Sequence, residues 1–138
     1  MFEMTVEPRF AETDALGHIG NTTFPIWFEA ARDPICRIFH PPMTLHDWPL
    51  ILARLSIDFV AQTYLGAPVT VRTHIKRLGN SSCELVHEAW QKGAPVARAT
   101  AVLVHFNYTT GRSAPIPDRV RAQLQEHLQE EPVAAAES

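Results

Sequence analysis

The residues able to do chemistry concentrate in one short segment, Ala11-Glu-Thr-Asp14-Ala-Leu-Gly17-His18-Ile-Gly20-Asn21. Two glycines within four positions, Gly17 and Gly20, suit a tight turn with unusual backbone angles. Helical spacing begins directly afterwards, so the loop feeds a helix N-terminus, where free N–H groups and the positive end of the dipole face outward. A carboxylate at that place, Asp14, can attack a polarised carbonyl or activate a water for the attack. His18 can orient a substrate or exchange a proton. On spacing alone, a turn or capping carboxylate at Asp14 and a backbone-bonded loop histidine at His18 satisfy the same pattern.

Beyond that loop the reactive side chains scatter. Glu29, on the helix that follows, is a second carboxylate, although a pairing with Arg32 accounts for it more simply. Asp58 falls on the polar side of a strand pattern, as a solvated or paired residue would. Arg72, Lys76 and Arg77 precede the turn at Gly79, and Lys92 stands at the next one. Such cations bind phosphates well, and a solvated strand face uses the same residues. His40, His46, His74, His87, His105 and His127 show no ligand spacing on one helix face, so no metal site is expected. Cys36 and Cys83 have no second cysteine near either, which excludes a CxxC motif and a four-thiolate zinc site. The expectation is two reduced thiols in a reducing, cytoplasmic compartment.

A framework must position these groups, and the apolar pattern supplies one. Phe2, Met4, Val6 and Phe10 alternate with Glu3, Thr5, Glu7 and Arg9, the period of a half-buried strand, with Pro8 marking an edge. From Thr22 to about Phe39, the residues Phe24, Trp27, Phe28, Ala31, Ile35 and Ile38 recur at helical spacing. Asn21, Thr22 or Thr23 can cap this helix, while Pro34 must kink it or open a second segment capped by Asp33. Residues 40–49 read as a loop. The next strand places Ile51, Ala53, Leu55, Ile57 and Phe59 on one face, and Val69, Val71, Thr73 and Ile75 repeat the pattern. Turns at Gly79–Ser82 and Lys92-Gly93 lead into Cys83–Gln91 and then Val96–Phe106. The last run is apolar at nearly every position, as in a central strand covered on both faces. Val120, Leu124 and Leu128 mark a short C-terminal helix, and 130–138 reads as a frayed tail.

The expected class is α+β, one domain over 1–129 with a meander-like antiparallel sheet and its long helix on one face. The chain has 138 residues, 46% hydrophobic and 20% charged, which excludes disordered, collagen-like and coiled-coil classes. A net charge of −3 gives no reason to expect nucleic acid or an anionic membrane as partner. The N-terminus lacks the basic and apolar regions of a signal peptide, and no stretch approaches a membrane span. One helix cannot cover a whole sheet face, so association into at least a dimer is expected.

The segment Arg9-Phe-Ala-Glu-Thr-Asp14-Ala-Leu-Gly17-His18-Ile-Gly-Asn21-Thr-Thr-Phe-Pro-Ile-Trp-Phe28-Glu29-Ala-Ala-Arg32 resembles the opening of a known family. That family is the hotdog-fold acyl-CoA thioesterases of the 4-hydroxybenzoyl-CoA thioesterase type. There an Asp-x-x-Gly-His loop leads into the central helix, which opens with Asn and an aromatic residue and runs on through Phe-Glu-Ala-Ala-Arg. Leu55–Val71 resembles the family's second strand, glycine turn and third strand, and Leu78-Gly-Asn-Ser-Ser82 its next hairpin, so the likeness spans about residues 5–108. The chain departs from the pattern at Gly20-Asn21 (usually Asn-Asn), at Phe24 (often Tyr) and at Gly66-Ala67 (commonly Gly-Asp).

The resemblance implies a five-stranded antiparallel sheet wrapped around a long central helix, and hydrolysis of an acyl-CoA to free acid and coenzyme A. Coenzyme A is then part of the substrate, and no separate cofactor is implied. Asp14 is the implied general base or nucleophile, with Gly17 and His18 in its loop and backbone N–H groups at Asn21 and Thr22 receiving the oxyanion. Phe24 and Trp27 lie on the helix that flanks the family's substrate tunnel. Lys76 and Arg77 are the candidates for the coenzyme A phosphates, with Ser81 and Ser82 in the adjoining hairpin as further substrate contacts. A homodimer or homotetramer with shared sites is implied as well. Two other readings stand beside hydrolysis: a hydratase for enoyl or hydroxyacyl thioesters, which pairs a histidine with an acid, and a non-catalytic acyl-CoA-binding module.

Overall fold

Alternating apolar residues and their turns build the sheet as the periodicity requires. A computed structural model describes residues 1–129, so the expected frayed tail over 130–138 lies outside the described residues. The strands are β1 (Phe2–Val6), β2 (Leu50–Phe59), β3 (Val69–Leu78), β4 (Ser82–Gln91), β5 (Ala94–Asn107) and the two-residue β6 (Arg112–Ser113). The helices are α1 (Thr23–Ala31), α2 (Asp33–Phe39) and α3 (Asp118–Gln125). The sheet order is β1-β3-β4-β5-β2, all pairs antiparallel, with β6 adding a short sixth member beside β5. Only β3-β4-β5 form a meander; β2 crosses to the far edge instead of pairing with β3.

Three local expectations change, and the helix takes the second of its two readings. β1 stops at Val6, and a single 3-10 turn over Phe10–Glu12 replaces the rest of the expected strand, leaving Phe10 81% exposed. The long helix divides at Arg32 into α1 and α2, the break that Pro34 imposes from the first turn of α2. In β2 a bulge between Leu52 and Arg54 shifts the inward face: Leu50, Leu55 and Ile57 meet the core, whereas Ile51 and Ala53 are exposed. β5 is covered on one face only. Ala97, Ala99, Ala101 and Leu103 are buried, and the residues between them are half-buried, so its apolar run is an alternation of small inward and larger outward side chains. At the Lys92-Gly93 turn both residues have positive φ (52° and 76°), the twist that a two-residue hairpin prefers.

The core has two halves. α1 packs Phe24, Trp27, Phe28 and Ala31 onto Val69, Val71, Ala89 and Ala97; α2 and α3 pack Ile35, Phe39, Val120 and Leu124 onto Ile75, Leu85, Ala101 and Leu103. Between them, in the row Thr73–His87–Ala99, lies a buried polar set. His87 stacks on Phe28 at 5.0 Å, its Nδ1 lies 2.7 Å from Thr73 Oγ1, and Arg32 Nη1 lies 3.5 Å from its Nε2. Arginine can only donate, so Nε2 is the acceptor and Nδ1–H donates to Thr73. Burial, helped by the Arg32 charge and His74, pushes the His87 imidazole down to about 3. Burial likewise pushes the Cys83 thiol up to about 12 and raises that of Cys36; neither cysteine forms a disulfide.

Candidate active site

Asp14 organises its own loop. Its N–H donates to the His18 carbonyl (2.7 Å), its carbonyl accepts from Gly17 N–H (3.2 Å), and its Oδ1 accepts from the N–H groups of Leu16 (2.8 Å) and His18 (3.1 Å). Gly17 closes the turn at φ +80°, a value that L side chains rarely adopt. Asp14 is exposed, and its Oδ2 has no protein partner among the described residues.

Two fastenings hold this loop against the rest of the molecule. Thr13 bridges to Ile19 and His18 to Tyr64, while Ile19 N–H donates to the Thr63 carbonyl at 2.7 Å, so the loop is zipped onto the segment leaving β2. On the other side Glu12 accepts from Trp27 Nε1 (3.3 Å) and from Arg9 N–H (2.7 Å), and its carbonyl accepts from Gly20 N–H (2.9 Å). α1 is thereby anchored directly to the loop that precedes it.

At the start of α1, Thr23 N–H bonds Gly20 O at 3.1 Å, but the N–H groups of Asn21 and Thr22 find no acceptor among the described residues. Both residues are exposed, and Thr22, the N-cap, makes no side-chain cap bond. Open donors at the positive end of a helix suit a developing negative charge. A groove of about 450 Å³ joins these parts, lined by Asp14, Ile19, Asn21, Phe24, Phe59, Val60, Ala61, Gln62 and Thr63. A carbonyl resting near Asn21 and Thr22 would be polarised there, with Asp14 or a water it holds in position to attack the carbon.

The structure gathers some of the sequence candidates and leaves others elsewhere. Asp14, Asn21 and Phe24 line the groove, with Gly17, His18 and Thr22 in the adjoining loop and cap. The His18 ring stands edge-on to Tyr64 at 5.1 Å and has no carboxylate partner among the described residues. Trp27 is buried in the core and serves the loop through Glu12. Lys76 and Arg77 are exposed toward the opposite end of β3, roughly 20 Å along the strand at its usual rise, and Lys76 is 3.5 Å from Glu84. Ser81 and Ser82 share that end; the Ser81 carbonyl accepts from His105 N–H (2.7 Å), and Arg121 secures the hairpin through Gly79 O and Asn80 O. Glu29 and Asp58 are exposed and outside the groove lining. Phe59, Gln62 and Thr63 were missed. Phe59 follows Leu55 and Ile57 in the alternation of β2, whereas Gln62 and Thr63 follow no periodic pattern.

A curled antiparallel sheet around a central helix, with a carboxylate loop at that helix's N-terminus, defines the hotdog class of fold. The model of the thioesterase-like superfamily matches residues 8–124, and the chain belongs to that family. The resemblance seen in the sequence is thereby borne out, and with it the class of enzyme, a thioesterase. Among solved structures, a predicted thioesterase from Bacillus stearothermophilus is 43% identical, with a TM-score of 0.92, covering 95% of this chain and 98% of that one. A thioesterase complexed with coenzyme A and Zn, from Thermus thermophilus, is 30% identical at a TM-score of 0.79, covering 90% and 91%. A curated 1,4-dihydroxy-2-naphthoyl-CoA hydrolase from Synechococcus sp. (strain RCC307) is 29% identical over 88% of this chain and 98% of its own.

Proposed function

We propose that the chain hydrolyses an acyl-CoA thioester, with Asp14 as general base or nucleophile and the N–H groups of Asn21 and Thr22 as oxyanion donors. The observation that carries this reading is the single groove shared by the Asp14 carboxylate and the open N-terminus of α1. The coenzyme A bound to the Thermus relative and the name of the Synechococcus hydrolase support the same substrate class. The reaction uses side-chain and backbone groups of this chain and calls on no separate cofactor. Phe24 and Phe59 set two rings edge to face at 5.5 Å in the groove wall, so an aromatic acyl group belongs among those tested.

The working unit in this proposal is a cytoplasmic homodimer or homotetramer. The outer edge of the sheet at β2 exposes Ile51, Leu52, Phe59 and the following Val60, an apolar edge that a second copy would cover. Light scattering on the purified chain should give at least twice the monomer mass, and a monomer at micromolar concentration would remove this part of the proposal.

The decisive assay runs the purified chain on short, long, hydroxylated and aromatic acyl-CoA esters, following free coenzyme A with a thiol reagent. A protein blank corrects for Cys36 and Cys83. Turnover on at least one ester is expected, falling about a hundredfold or more in folded Asp14→Asn. Binding without thiol release would instead make the chain an acyl-CoA-binding module.

A further inference from the structure

We propose that Thr63 holds the attacking water against Asp14; the inference rests on the hydrolase reading above. Thr63 is 2% exposed, and its buried Oγ1 has no hydrogen-bond partner among the described residues. A buried hydroxyl without a partner is destabilising, and valine fills the same volume without one. The backbone gives no reason for threonine here, because the Thr63 carbonyl takes the Ile19 N–H at 2.7 Å whatever the side chain.

The place of the residue supplies the reason. Thr63 lines the same groove as Asp14 and Asn21, and the Ile19–Thr63 bond and His18–Tyr64 bridge fix it in register with the Asp14 loop. Of the polar residues lining the groove, Asp14, Asn21 and Gln62 are exposed and Thr63 alone is buried. A site with two or more polar partners is what an ordered water requires. Such a water donates one O–H to the Asp14 carboxylate and the other to Thr63 Oγ1, which leaves a lone pair for the acyl carbon. As the new C–O bond forms, Asp14 takes the first proton and the oxyanion settles on the Asn21 and Thr22 N–H groups. Collapse breaks the C–S bond, and Asp14 returns its proton to the departing sulfur. Thr63 exchanges no proton; it is a positioning residue.

The test compares Thr63→Val and Thr63→Ser with the wild-type chain on the best ester of the panel, with melting temperatures alongside. The valine variant should lose about ten- to a hundredfold in kcat with KM within about twofold, and melt at or above the wild type. The serine variant should keep kcat within about threefold of wild type. Undiminished kcat in the valine variant overturns the proposal. So does a loss that comes as raised KM or lowered melting temperature without rescue by serine, which would assign Thr63 to packing. An active wild type with an active valine variant overturns this inference alone, whereas a wild type that releases no thiol from any ester overturns the hydrolase reading as well.

Discussion

Gly17 bears more of the Asp14 loop than its size suggests. Among the described residues a Cβ there would meet nothing within 4 Å, so what opposes a side chain is the backbone angle of +80°. Gly17→Ala should therefore cost about 1 kcal/mol of stability through strain, readable as a shifted urea midpoint. If the loop relaxes to relieve that strain, the N–H groups of Leu16 and His18 leave Asp14 Oδ1, and kcat/KM falls with it. Gly17→Asn should suffer less on both counts, because asparagine enters this region more readily. Equal behaviour of the two variants would show that the angle does not matter. At this scale the sequence was most informative where the structure is local. Asp14, Gly17 and His18 are joined by bonds spanning four residues or fewer, so their spacing alone announces the turn. Thr63 reaches the groove through its pairing with Ile19, far away in the chain, and no local pattern encodes that.

Between elements, the segment leaving β2 depends on a clasp from β4. Gln91 is 6% exposed; its Oε1 accepts from Tyr64 N–H at 3.0 Å, and its Nε2 donates to Tyr64 O at 2.8 Å and Ala67 O at 3.0 Å. One buried amide thus satisfies three backbone groups in the turn that carries Thr63 and pairs with His18. Gln91→Glu keeps the size but replaces both N–H donors with an acceptor, leaving two carbonyls facing a carboxylate. The expected loss is about 2–4 kcal/mol in urea unfolding, with Gln91→Met milder at about 1–3 kcal/mol. Unchanged stability in both would show that water replaces the clasp. The fold's elements were legible because their periods are strong, down to the break that Pro34 forces. What escaped was relational. The bulge in β2, the pairing of β2 with β5 and the one-sided cover of β5 depend on which neighbours meet. Ala97, Ala99 and Ala101 read as a strand covered on both faces, when they are small because α1 and α2 lie close on one.

His87 ties the whole molecule to pH. It sits in the middle row of the sheet beneath the α1–α2 break, neutral and fully buried, between Thr73 and Arg32. Its imidazole is depressed from 6.5 to about 3 by burial first and the Arg32 charge second. The unfolded chain takes up a proton on this ring as pH falls through 6.5, whereas the folded chain does not until about 3. Protons bound in the unfolded state exceed those in the folded state across that window, so stability is fully present above pH 6.5 and declines below it. The slope from this one group approaches about 1.4 kcal/mol per pH unit. Carboxylates contribute their own acid dependence, so the measurement is a difference: urea unfolding of wild type and His87→Gln at several pH values between about 7.5 and about 4. The glutamine variant starts less stable, having lost the ring's packing on Phe28, but its stability should fall less steeply below pH 6.5. Parallel slopes would mean that the ring takes its proton inside the folded protein, and that Arg32 moves away to allow it.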